Sequence, residues 1–421
     1  MTETGASKRG LPLPDLDRIP PYVSIAIGAV GWVLLYAPHL SFSVSDFILH
    51  VKPWLDYLRD NGGFLALADD FSEYAPPYLY LLGAVSYFDF PFNDQVLVKL
   101  VNAPFVLATA AGVFLLCRHF GKSVNHAVAA GASVVLLPTL GVNAFVWGQA
   151  DAIYGSLLLL SALLVIKGRP YWAVGLFAAA VSTKLQGMYL APFILMMLLA
   201  GRIPWKAVVV APLVYAGTLL PALLVGRPLI ELLTVYLIQG KMYHRLSFNA
   251  ANPYFILDFL FHASDSRFLY KIFTVLGLGF ASVSGLAVSL VGFARTRMTD
   301  RAVLIAAALS VTVMPYVLPK MHDRYFMAAD LLMLALAWVD RRFIWAAVAL
   351  QVGSMLSYTP EFSIYALPGA YESWGWAVLA GMVINGFVIA HLVRELRAEL
   401  GGLWDVEAMK SRLPAGLIKT S

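Results

Sequence analysis

The chain holds one cysteine in 421 residues, Cys117, and it lies inside an apolar run. A single thiol closes no disulfide within the chain and builds no Cys-based metal centre, so Cys117 reads as a small buried hydrophobe. Charge is nearly as scarce. Only 13% of residues are charged against 60% hydrophobic, far more apolar surface than one water-soluble core consumes, and lipid is the solvent that accommodates the excess. A Walker-type glycine loop, a His-Glu-x-x-His pair and a Gly-x-Ser-x-Gly elbow are all missing, which removes the commonest nucleotide, zinc-protease and esterase chemistries. Neither a metal nor another cofactor is expected. The adjacent carboxylates Asp69 and Asp70 would be the place for a divalent cation, but two side chains alone do not make such a site. No small-residue cleavage site follows the first apolar run, so the polar stretch Met1 to Arg18 reads as the lead-in to a retained helix. Internal repeats and low-complexity linkers are absent too, and residues 1–395 read as one membrane domain followed by a polar tail, 396–421.

What is there is a series of apolar runs. Taking about 20 residues per crossing, spans are expected near 20–40, 97–117, 124–145, 150–166, 206–225, 270–294, 301–318, 326–339, 342–357 and 374–393. Two segments need arbitration. Residues 76–90, with Pro76-Pro77 at the head and Phe88-Asp89-Phe90-Pro91 at the end, are short and aromatic, and are expected to lie on the membrane surface. Residues 171–200, taken as one helix, would put Lys184 near mid-bilayer at a cost of roughly 3 kcal/mol. A hairpin with Lys184 and Gln186 at its tip avoids that cost, and a short tip is tolerated where it lines a wet cleft.

With those choices Lys8, Arg9 and Arg18, and then Arg118/Lys122, Lys167/Arg169, Arg202/Lys206, Arg295/Arg297/Arg301, Arg341/Arg342 and Arg394/Arg397, all fall on one side. This is the pattern of cytoplasmic loops, so the net charge of +5 does not point to nucleic acid. The expected fold is all-α: a polytopic protein of about 12 transmembrane helices, both termini cytoplasmic, with a helical first extracytoplasmic loop over about 41–96.

Under this topology the unusual polar clusters collect on the extracytoplasmic face. They are Ser45-Asp46, Asp69-Asp70 with Glu73-Tyr74-Ala75-Pro76-Pro77, Trp147-Gly148-Gln149-Ala150-Asp151, Lys184-Leu185-Gln186, and Lys320-Met321-His322-Asp323-Arg324-Tyr325. Asp46 follows the first span closely enough to reach a lipid headgroup, and its carboxylate would suit a general base; a helix cap is the plainer alternative. Lys320, His322 and Arg324 would suit a phosphate, or they anchor a helix end at the interface. Gln149 and Asp151 would bind sugar hydroxyls or orient the Asp46 loop, with a cap by Asp151 as the alternative, and Gly148 marks a tight turn.

Taken in order, these motifs resemble the GT-C class of integral-membrane glycosyltransferases, the bacterial mannosyltransferase-like group and, more distantly, the dolichyl-phosphate-glucose glucosyltransferases. The resemblance covers roughly Tyr22 to Tyr325. It departs from the usual pattern at Ala75, inserted before the two prolines, and at Asp323-Arg324, where the glucosyltransferases tend to have Glu-Lys. It implies a bacterial inner-membrane hexosyltransferase that moves a sugar, such as mannose or glucose, with inversion from a polyprenyl-phosphate donor to a lipid- or glycan-linked hydroxyl. Asp46 would be the base. Lys320, His322, Arg324 and Lys184 would hold the donor phosphate, and Asp69, Asp70, Glu73, Tyr74, Trp147, Gln149, Asp151, Gln186 and Tyr325 would contact substrates. Asp69 or Asp70 could serve as base instead. Two other readings stay open: a lipid-linked sugar transporter or flippase, and a polysaccharide polymerase or ligase using the basic residues between Gly226 and Asn252.

Overall fold

The computed structural model describes residues 16–88, 93–242, 244–295, 297–366 and 371–405. Lys8, Arg9, Asp89 to Pro91 and the tail lysines and arginine beyond 405 lie outside the described residues. The protein is predominantly helical, as expected. The first helix, α1 (Pro21–Leu35), opens on a proline at its first position, where the missing N–H is no loss. It is followed by a segment that is itself helical: α2 (Lys52–Asp60), α3 (Pro76–Ser86) and α4 (Asp94–Leu100) fill the stretch read as the first loop. Helix α5 (Ala103–His119) continues α4 after a break, and α6 (Val124–Val134) and α7 (Pro138–Gly141) follow.

The chain then runs through α8 (Asp151–Ile166), α9 (Pro170–Thr183), α10 (Ala191–Leu199) and α11 (Val210–Leu224). Helices α12 (Leu229–Met242) and α13 (Pro253–Phe259) occupy a stretch where the sequence suggested only a loop. Five long helices complete the bundle: α14 (Arg267–Ala294), α15 (Asp300–Val317), α16 (Met327–Val339), α17 (Ile344–Ala366) and α18 (Tyr371–Glu399). Helix α18 carries on past residue 395, where the tail was expected to begin. Among the described residues the departure from an all-α chain is small: a two-residue parallel pair, β1 (Ser247–Phe248) with β2 (Met321–His322), and an isolated bridge between Asn249 and His322.

Six helical stretches among the described residues are long and apolar enough to cross a membrane, and a seventh forms if α6 and the Pro138–Trp147 stretch, bent by 45°, count as one. The protein is a helical membrane protein. Helix α15 is its axis. Its small residues, Ala302 and Ala306 to Ala308 among them, are fully buried, and α8, α10, α14, α16 and α18 pack around it. Large apolar side chains on α1, α11 and α14, such as Ile25, Leu213 and Val275, stand exposed, as lipid-facing surfaces do.

The bundle has two chemically different ends. At one, Arg202 and His119 both meet Asp300 at 2.8 Å, Arg301 reaches Asp340 and Glu399, and Arg342 reaches Asp340 and Glu395. This lattice ties together the ends of α5, α15, α16, α17 and α18. The other end, about 27 Å away along the 18 residues of α15, carries the cleft described next. The 171–200 segment is a hairpin: α9 breaks at Lys184, a short 3-10 turn follows over Leu185–Leu190, and α10 leads back to Arg202. Helix α3 does not stand alone as a surface helix, because Tyr80 hydrogen-bonds Thr218 O of α11 at 2.8 Å.

Candidate active site

Two π-helical turns shape the site. One, Phe47–Val51, starts directly after Asp46; the other, Val142–Trp147, ends at Gly148, whose φ of +85° suits a residue without Cβ. Such turns concentrate where a side chain must be re-aimed. Asp46 makes no capping hydrogen bond, so the helix-cap alternative falls. Its Oδ2 instead accepts from Gln149 Nε2 at 2.6 Å and lies 3.8 Å from Arg324. The loop before Asp46 is fixed by a residue that sequence reasoning missed: Lys99, 1% exposed, donates to the carbonyls of His39 and Phe42.

Asp46 opens into a cleft of about 720 Å³, within the usual size of ligand sites. Glu73, Tyr74, Trp147, Gln149, Lys184, Gln186, Lys320, His322, Arg324 and Tyr325 also line it. Segments separated by nearly 280 positions thus share one cavity, as the order of the motifs suggested.

Three expected contacts are corrected. Asp70 pairs with Arg227, a side chain buried to 4% exposure that needs a counter-ion, and Asp69 accepts from Tyr57 at 2.8 Å. Both carboxylates are exposed and neither lines the cleft. Asp151 is fully buried behind the wall, out of reach of substrate, because it is the counter-ion of two cations: Lys184 Nζ binds its Oδ1, and Arg324 Nε lies 3.5 Å from its Oδ2, which also accepts from Asn143 at 2.9 Å. Nor do residues 320, 322 and 324 form a compact cation cluster. Lys320, at φ +64°, turns toward α12, donating to Gly240 O at 3.0 Å.

Of the cations that line the cleft, Lys184 and Arg324 are the two held against the carboxylates of Asp151 and Asp46. Lys184 sits among the rings of Tyr74, Tyr154 and Tyr325 at 5.4 to 5.9 Å, and Arg324 lies 5.1 Å from the Trp147 ring, geometries in which the ring faces favour positive charge. Trp147 is buried against Tyr358 and Phe362. His322 stacks on Phe248 at 4.5 Å. Water reaches part of its ring, but protein surrounds it, and this burial, with Arg324 and Lys184 nearby, holds its pKa well below the usual histidine value. It is a neutral ring. Burial acts oppositely on Asp323, pushing its carboxyl up to about 8 despite Arg324 at 3.5 Å.

Glu361, another residue the sequence did not single out, also lines the cleft and accepts from Ser45 at 3.2 Å. It lies just past the expected 342–357 span, where only the extra turns of α17 bring it to the Asp46 loop. Arg245 joins the wall as well, whereas Arg227 is spent on Asp70.

Chemically, the cleft offers a carboxylate held in place by an amide, two cations with buried counter-ions, and aromatic faces. No protein-family model matches the chain, and no curated protein shows significant similarity to it.

Proposed function

We propose that the protein is a GT-C-like glycosyltransferase of about 12 membrane crossings, with both termini in the cytoplasm of a bacterial cell and the cleft on the extracytoplasmic face. The observation that carries this reading is the juxtaposition, in one cleft at one end of the bundle, of the Asp46 carboxylate with the cations Arg324 and Lys184.

In the proposed reaction the donor is a hexose on a polyprenyl phosphate, its isoprenoid tail in the bilayer. Asp46 removes the proton from an acceptor hydroxyl, on a lipid or a glycan, as that oxygen attacks the anomeric carbon from the face opposite the phosphate. The bond between the anomeric carbon and the phosphate oxygen breaks, its electron pair stays on the phosphate, and configuration inverts. Arg324 and Lys184 stabilise the charge that develops there. Gln149 keeps Asp46 aimed, and Trp147, Tyr74 and Tyr325 shield the site from bulk water.

The test is transfer of labelled sugar from a panel of polyprenyl-phosphate sugars to membrane lipid extract, with the purified protein and its Asp46→Asn variant side by side. Transfer by the wild type that the variant lacks supports the reading; turnover within a few-fold of wild type in a folded variant sinks it.

One observation favours a second reading, a transporter of lipid-linked sugars. Asp330 is 1% exposed within α16, hydrogen-bonded by Ser354 at 3.2 Å, and intramembrane carboxylates mark transport pathways. Protection of a lipid-linked sugar from membrane-impermeant reagents in proteoliposomes, changed by the protein alone, would favour it.

A further inference from the structure

A second cavity of about 470 Å³ adjoins the cleft. We propose that it is a saccharide subsite that holds the terminal sugar of a glycan acceptor; this rests on the glycosyltransferase reading and narrows its acceptor.

Three contacts put the cavity beside the reacting groups. Arg245 and Asn249 line both spaces. Pro360 lines the second while its neighbour Glu361 lines the first, and Glu361 accepts from Ser45, next to Asp46. A sugar seated there presents a hydroxyl toward the base rather than toward the cation side of the cleft. Asn249 itself has φ +58°, a conformation asparagine tolerates better than most residues, and its strand neighbour Phe248 pairs with His322, so the partition between the two spaces is built from the same short sheet.

The lining chemistry selects a carbohydrate. Phe259 and Trp376 meet edge to face at 5.5 Å, both line the cavity, and Trp376 as a whole is 63% exposed. An aromatic face carries negative charge density and receives the weakly positive C–H face of a pyranose, while the Asp265 carboxylate and Arg245 supply an acceptor and donors for hydroxyls. The remaining carboxylate, Asp258, is already committed: it accepts the amides of Leu246 and Ser247 at 2.9 Å and of Ser264 at 3.1 Å, which fixes the floor. The wall thus mixes these polar groups with the apolar side chains of Phe255, Phe259, Leu260 and Trp376, the combination that a sugar's hydroxyls and C–H faces require.

Binding is measured without donor, so that it does not depend on turnover. Labelled protein in nanodiscs is applied to an array of short mannose, glucose, galactose and N-acetylglucosamine oligosaccharides. The expected result is retention of at least one glycan class, weakened about tenfold or more by Trp376→Ala and separately by Asp265→Asn, whose exposed positions leave folding intact. Retention of no glycan, or retention unchanged by both variants, overturns the proposal. Capture of labelled polyprenyl phosphate by the wild type is read in parallel: lipid capture with no glycan binding defeats the subsite alone, and glycan binding with no lipid capture defeats the donor reading alone.

Discussion

Gln149 donates to Asp46 across 103 positions of sequence at 2.6 Å, and this one bond joins the two loops that the sequence marked most clearly. A hydrogen bond to a charged group contributes about 1.5 to 3 kcal/mol. Gln149→Ala is expected to lower the rate of sugar transfer by roughly 10- to 100-fold with little change in the apparent KM for donor, as measured by initial rates. A change confined to KM would show that Gln149 contacts substrate rather than aiming the base.

The Lys184–Asp151 pair has almost no access to water. Removing one member leaves the other charge buried, a loss of about 3 to 5 kcal/mol. Both Lys184→Met and Asp151→Asn are expected to lower the unfolding temperature in detergent, and the double variant to lose much less than the sum of the two losses. Additive losses would mean the pair is not coupled.

His322 and Asp323 adjoin each other and titrate in opposite senses. A histidine whose folded pKa is depressed keeps its full stability contribution above the unfolded value of about 6.5 and loses it as pH falls below that. The melting temperature of wild type relative to His322→Gln is therefore expected to drop between pH 7.5 and 5. An aspartic acid with its pKa raised to about 8 behaves conversely: relative to Asp323→Asn, wild type loses stability as pH rises from about 4 through 8. Parallel curves for variant and wild type would remove the burial argument for that residue.

Gly187 lies where the hairpin turn folds back on α9; a Cβ there would sit 2.5 Å from Val181 N and 2.6 Å from Ala180 C. These are backbone atoms that cannot swing away. Gly187→Ala is expected to destabilise the protein by about 1 to 3 kcal/mol and to reduce transfer by displacing Lys184. Unaltered melting and activity would show that the turn yields freely.

The helices were legible because each apolar run ends at a charge, a proline or a glycine: α15 and α16 begin and stop within a few residues of the expected limits. The kink after α6 falls at Pro138, a break that a count of apolar residues passes over, and the helix α12 lies in a stretch that reads as loop. In the site, Asp46, Gln149, Lys184 and Arg324 were visible as polar residues at the ends of apolar runs. Asp69 and Asp70 were equally visible and misled, because Arg227, 157 positions from Asp70, claims one of them. Lys99 and Glu361 were hidden for the converse reason: Lys99 falls inside the expected 97–117 span and Glu361 just past the 342–357 one, and each acquires its role only from a partner loop.

Asp151 sets a condition on any anion that enters the cleft. Its carboxylate and that of Asp46 already partner Lys184 and Arg324, so an anion binding these cations would displace internal carboxylates rather than meet bare charge. Affinity for such an anion would thereby be held down, and neither cation depends on a ligand for its counter-charge.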